Sequence, residues 1–234
     1  PNQPDGTIVL EDIENAIRGT DIHEPRTKMI VIENTQNQCG GVPIGYDYME
    51  RLGQIAKKHA LFLHVDGARI FNAAVALQTS ACELTKMADS VSFCLSKGLC
   101  APVGSVLCGS KGFIEEARRY RKMLGGGMRQ VGILAAAGIV ALDTMIDRLI
   151  EDHKRAAILA HNLSQVPGFS LCKGIPQSNM VFLSIDPALY PHPEEIKEKL
   201  KKDGILISFS RPTEIRLVTH YWITDKDVAQ VIQS

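Results

Sequence analysis

The sequence predicts an α/β fold: an open, mostly parallel sheet with helices, followed by a small α+β unit. Three observations carry this. Apolar runs of strand length alternate with helical periodicity over the first half of the chain, the pattern of βαβ units. Two of those runs, within Leu61–Arg69 (LFLHVDGAR) and Ala88–Val106 (ADSVSFCLSKGLCAPVGSV), end abruptly in charged residues and glycine. Beyond Val166-Pro167-Gly168 three short apolar runs mix with helical stretches. The expected division is a partial large domain over residues 1–145 and a small C-terminal domain over 146–234.

In chain order, Ile8–Arg18 has loosely helical apolar spacing (Ile8, Leu10, Ile13, Ile17), and Gly19 ends it. The run KMIVI over Lys28–Ile32 is a strand of buried type, and Gly40-Gly41 with Pro43 marks a loop. Tyr46–His59 is an amphipathic helix with Met49, Leu52, Ile55 and Ala56 on one face. The strand Leu61–Val65 follows. Ile70–Ala76 and a short helix around Cys82–Met87 lead to the strand Ser90–Leu95, and Ser105–Cys108 is a further short strand. Phe113–Lys122 is a charged helix before Gly125-Gly126-Gly127. Gln130 to about Gln165 reads as one long helix. The runs Met180–Ile185, Ile205–Ser208 and Ile215–Val218 are strands, Pro193–Lys202 is a helix stopped by Asp203-Gly204, and a last helix begins near Asp225.

Composition narrows the function. The 234 residues include 26 basic and 26 acidic side chains, which gives no footprint for nucleic acid. No apolar run reaches membrane length, so no membrane partner is expected. The six cysteines are scattered with no CxxC, which suggests neither a zinc site nor a redox pair. They read as small buried hydrophobes in a reducing compartment, the cytoplasm with mitochondria as the alternative. The opening PNQPDGT has no initiator Met and leads straight into a helix. The implied sheet would lack its first strands, so the sequence reads as part of a longer protein.

The chemistry sits where the two charged strand ends meet. Lys97 follows an apolar strand and precedes a Gly-rich turn. In an apolar setting the neutral amine is favoured, and a neutral amine attacks carbonyls. The plainer reading is a strand-end lysine that reaches out to water. Asp66 ends the neighbouring strand type, where open α/β sheets bind ligands. Its plainer reading is a helix N-cap before Gly67-Ala68-Arg69. Together an amine and a carboxylate at one sheet edge suit pyridoxal 5'-phosphate (PLP): the lysine holds the aldehyde and the carboxylate pairs with the ring nitrogen.

Several stretches carry a more specific resemblance. IHEPRT (22–27), IENT (32–35), HVDGARIFNA (64–73), SFCLSKGLCAPVGSV (92–106), RKMLGGGMRQVGILAAAGI (121–139) and IRLVTH (215–220) appear in order over nearly the whole chain. The chain resembles the low-specificity L-threonine aldolases, fold-type I PLP enzymes. That resemblance implies cleavage of L-threonine or L-allo-threonine to glycine and acetaldehyde. It implies Lys97 as the cofactor lysine, Asp66 as the ring-nitrogen partner, and Arg69 and Arg216 as holders of cofactor or substrate, Arg216 chiefly of the substrate carboxylate. His23 resembles a histidine near the substrate hydroxyl and is the candidate base. Lys122 and Arg129 resemble residues that reach the cofactor phosphate of a neighbouring subunit, so a homodimer or homotetramer with shared sites is implied. Read from the residues alone, Arg216 is a surface strand residue, His23 a turn histidine, and Lys122 and Arg129 the charged rim of a Gly-rich loop. The family's phosphate loop and a ring-stacking histidine are expected upstream of Pro1, and Gln36 stands where a histidine is expected. The rival readings are a β-eliminating lyase of the same fold, giving pyruvate and ammonia, and an inactive scaffold.

Overall fold

The computed structural model describes residues 1–234. A first sheet contains β1 (Met29–Glu33), β2 (Phe62–Asp66), β3 (Ser90–Cys94) and β4 (Ser105–Gly109), in that spatial order. The first three strands run parallel, and β4 returns antiparallel to β3. The register sets Glu33 opposite Asp66, and Asp66 opposite Ser92. Three charged or polar strand ends therefore share one edge. Helix α1 (Leu10–Asn15) precedes β1, α2 (Tyr46–Lys58) joins β1 to β2, and α3 (Ile70–Ala76) and α4 (Ala81–Leu84) lie between β2 and β3.

Helix α2 covers one face of the sheet. Its Met49, Leu52 and Ala56, at helical spacing, pack with Ile30, Ile32, Leu63 and Val65. The alternation in β1 follows from this one-sided cover: Ile30 and Ile32 are buried while Met29 and Val31 face out. The strand expected to be buried on both faces is thus half-open, and Phe62 of β2 is 59% exposed beside it.

The chain continues through α5 (Lys111–Met123), whose N-cap Ser110 accepts a hydrogen bond from the Phe113 N–H, then α6 (Gly132–Thr144) and α7 (Leu149–Leu163). The single helix expected over 130–165 is two helices. The break at 145–148 contains neither glycine nor proline; it lets Ala141 of α6 and Leu149 of α7 enter the same core with Leu95, Leu99 and Ala101.

A second, antiparallel sheet follows in the order β5 (Phe169–Leu171), β6 (Met180–Ile185), β8 (Glu214–Val218), β7 (Phe209–Arg211). Helix α8 (Pro193–Lys202) has the expected bounds, with proline in its first turn. Helix α9 (Asp225–Gln233) opens with a capping box made by Thr224 and Asp227. The strand expected at 205–208 lies instead at Phe209–Arg211, where the chain can pair with β8 through Phe209 and Ile215. Ala156, Leu159 and Ala160 of α7 close this second core against Val181, Leu183, Ile185 and Ile215.

The cysteines depart from expectation. All six are free, none is buried, and Cys82, Cys108 and Cys172 are exposed. Cys108 sits on β4, whose outer face nothing covers.

Helix α6 is apolar all round, yet Ile133, Ile139 and Val140 are largely exposed; so are Leu124 and Met128 ahead of it. A helix without a polar face is normally enclosed, and exposed apolar patches promote association. The isolated 234-residue chain is therefore expected to self-associate. Light scattering of dilute purified chain checks this, and a monodisperse monomer would contradict it.

Candidate active site

The site is the carboxyl edge of the first sheet. Parallel pairing places the residues after β1, β2 and β3 side by side, about 4.8 Å between neighbouring strands. The Asn34 N–H donates to the Asp66 carbonyl at 2.9 Å, and the Gly67 N–H donates to the Ser92 carbonyl at 2.7 Å, so the ladder continues into the loops. Buried Asn34 clamps the first loop: its side chain donates to the Ile44 carbonyl and accepts from the Ile44 N–H. Gly67 has no room for a side chain, since a Cβ there would stand 2.9 Å from the Ser92 carbonyl oxygen.

Asp66 closes β2. Its Oδ1 accepts the Ala68 N–H at 3.2 Å, an Asx-type turn that launches α3. The N-cap position itself belongs to Arg69. The Asp66 Oδ2 makes no hydrogen bond within the chain.

Lys97 follows β3 in a turn held by the Cys100 N–H on the Lys97 carbonyl and by the Ala101 N–H on the Leu95 carbonyl. The strand-end placement matches expectation, but the apolar enclosure does not: Lys97 is exposed while its neighbours Leu95, Gly98 and Leu99 are buried. The turn points its buried residues at α6 and α7 and leaves the lysine on the open edge. The Lys97 amine has no ion pair or hydrogen bond within the chain.

Two arginines complete the cluster. The Arg69 Nε is buried and has no partner. Burial pulls the Arg69 guanidinium below its ordinary range, and nearby Arg216 adds to this. Arg216, on β8 of the second sheet, donates from Nη1 to the Asn37 Oδ1 at 3.1 Å across the gap to the first loop. Two guanidinium groups close together, one of them with an orphaned Nε, are suited to an anion, and a carboxylate matches the arginine fork. Glu33 borders the same field. Burial raises its carboxyl above the usual range and Asp66 adds to this, against the Asn37 N–H, Arg69 and Lys97, which lower it. The Gln36 amide donates to the Glu33 Oε2 at 3.0 Å.

The structure therefore brings together Lys97, Asp66, Arg69 and Arg216. It does not bring in the other three expected residues. The His23 side chain is 84% exposed on the loop that enters the opposite, amino end of β1, and its Nδ1 pairs with Asp21 at 2.9 Å. That local pair accounts for the histidine without any contact to the cluster. Lys122 ends α5 and Arg129 lies in the loop beyond; both are exposed and touch none of the four. The sequence reading passed over Glu33 as an acid and overlooked Asn37. Their position directly after the apolar run of β1 was the available signal.

The four residues fit PLP. A free amine to join an aldehyde, a carboxylate oxygen on the adjacent strand free to accept from a protonated ring nitrogen, and an unpaired buried Nε–H to donate to an anionic group are what the cofactor requires.

Comparison with known proteins places the chain in a family and a fold. The beta-eliminating lyase family matches residues 1–186. The chain is 45% identical over 230 residues to low-specificity L-threonine aldolase 1 of Arabidopsis thaliana, covering 97% of this chain and 64% of that protein. It is 41% identical over 227 residues to the low specificity L-threonine aldolase of Escherichia coli K12, covering 97% and 65%. It thus spans a little under two thirds of the length of these relatives. Among solved structures, Leishmania major threonine aldolase superposes with a TM-score of 0.80 at 21% identity, covering 99% of this chain and 67% of that one. A serine palmitoyltransferase of Sphingomonas wittichii superposes at 0.71 and 18% identity, covering 96% and 57%. Both share the fold-type I architecture of PLP enzymes. The chain belongs to the beta-eliminating lyase family and, within it, is similar to the low-specificity L-threonine aldolases.

Proposed function

We propose that the protein containing this chain is a PLP-dependent lyase that cleaves L-threonine and L-allo-threonine to glycine and acetaldehyde. The observation that supports it is the convergence of Lys97, Asp66, Arg69 and Arg216 on one sheet edge. Bound PLP supplies the electron sink that breaking a Cα–Cβ bond requires. Lys97 would hold the cofactor through its amine. Asp66 would offer its free oxygen to the ring nitrogen. Arg216, steadied by Asn37, takes the substrate carboxylate, and Arg69 contributes its unpaired Nε to the same anion. Fixing the carboxylate fixes the rotation about N–Cα, and so which bond at Cα is aligned for cleavage. His23 takes no part in this reading, because it stands in solvent at the other end of β1.

Products separate this from β-elimination. Threonine should give glycine and acetaldehyde in equal amounts; 2-oxobutanoate and ammonia would overturn the aldolase reading. The six unpaired cysteines support a cytoplasmic protein, and no helix is long and apolar enough to cross a membrane.

The same reading makes the protein a homo-oligomer with composite sites. Lys122 and Arg129 carry their charge beside exposed Met123, Leu124 and Met128, a surface suited to meeting another subunit, where they would reach its cofactor phosphate. Lys97→Ala and Arg129→Ala protomers, each nearly inactive alone, should regain activity when mixed, since a hybrid dimer holds one site with both residues intact. In an equal mixture that exchanges freely about half of the dimers are hybrids with one intact site in two, so about a quarter of the wild-type activity should return. No recovery in a mixture shown to exchange subunits would remove Arg129 from a shared site.

A further inference from the structure

Behind the Lys97 turn lies a polar pair that the chemistry above does not use. Asn72, on α3, is 2% exposed. Its Nδ2 lies 3.1 Å from the Nε2 of His153, on α7, across 81 residues of sequence. Burial holds the His153 imidazole down at about 4, so it is neutral near pH 7 and its Nε2 can accept the amide proton. On its other side Asn72 backs directly onto Gly98, the residue after Lys97. A Cβ at Gly98 would stand 3.4 Å from the Asn72 Oδ1 and 2.7 Å from the Leu149 Cδ2. Leu149 and His153 are four residues apart on α7 and so share one face. The Lys97 turn thus rests on one amide and one methyl group, both set by α7.

Helix α7 is also tied to the strand that bears Arg216. The Asp152 carbonyl accepts the Thr219 hydroxyl at 2.6 Å, and its buried carboxylate holds Arg148 at 2.7 Å. The start of α7, residues 148–153, therefore touches the Lys97 turn at one side and the end of β8 at the other.

We propose that Asn72 and His153 are positioning residues that seat the Lys97–Gly98 turn on α7 and so set where the Lys97 amine stands relative to Arg216. The proposal rests on Lys97 being the cofactor lysine. Neither residue touches substrate or cofactor. The Asn72 Oδ1 lies close beside Gly98, next to Lys97, and His153 fixes the Asn72 amide in that place.

The test uses apoprotein of the full-length enzyme, mixed with PLP and quenched over time with borohydride. Mass spectrometry then reads the rate at which the Lys97 peptide gains the label. His153→Leu removes the acceptor at similar volume, and Asn72→Ala removes the amide. Each should slow labelling by about tenfold, the equivalent of one hydrogen bond. His153→Gln, whose side-chain oxygen still accepts, should recover most of the rate. Leu159→Ala, in the second core on the same helix, lowers stability without touching the pair and should leave the rate within about twofold. Wild-type rates in His153→Leu and Asn72→Ala, or equal slowing by Leu159→Ala, would overturn the proposal. Should His153→Leu fail to fold, Asn72→Ala against Leu159→Ala makes the same comparison. Label on another lysine of the wild type would instead overturn the assignment of Lys97, and the two failures are therefore distinguishable.

Discussion

Replacing Lys97 by alanine in the full-length enzyme is expected to lower threonine cleavage by ~10³-fold or more, the scale on which removal of a covalent catalytic group acts. Lys97 is exposed and its amine bonds to nothing in the chain, so the fold should hardly notice the change; surface substitutions usually stay within about 0.5 kcal/mol. The visible absorbance of lysine-bound PLP should vanish together with activity, while the melting temperature of the apoprotein stays near that of the wild type. A pyridoxyl group that stays covalently bound to the variant after borohydride reduction and dialysis would place the anchor on another lysine.

Asp66→Asn is expected to lower turnover by roughly tenfold to a hundredfold. An asparagine oxygen can still accept the Ala68 N–H, so the turn into α3 survives. What it loses is the charge on the free oxygen, and hydrogen bonds to charged groups are worth about 1.5–3 kcal/mol, which converts to that range of rate. The matching check is the thermal stability of the apoprotein, which should change little. Unchanged turnover would contradict the role at the ring nitrogen; a large loss of stability would make Asp66 a structural turn residue instead.

Much of this site was legible in the sequence because its logic is local. A run of five or six apolar residues that stops at Asp66-Gly67 or at Ser96-Lys97-Gly98 announces a strand end, and parallel pairing brings such ends together without further information. Arg216 needed more. It sits in a separate sheet, and the 3.1 Å contact to Asn37, 179 residues away, together with its nearness to Arg69, shows that β8 reaches this edge. Enclosure was the least legible property. Lys97 follows an apolar run, but the turn directs Leu95, Gly98 and Leu99 inward and leaves the lysine out. His23 shared a motif with its neighbours, yet a two-residue pairing with Asp21 holds it in solvent. The break between α6 and α7 had no glycine or proline to mark it, since it serves the packing of Ala141 and Leu149 rather than a turn. Asn72 and His153 looked like ordinary helix residues, because a polar pair between two helices has no signature in either helix alone.

The central claim is that Lys97 carries the cofactor at this sheet edge. Peptide mapping of the wild-type, full-length protein after saturation with PLP and borohydride reduction tests it most directly. One pyridoxyl group per chain, on the peptide that contains Lys97, is the predicted result. A label on any other lysine, or none at saturating PLP, would contradict it.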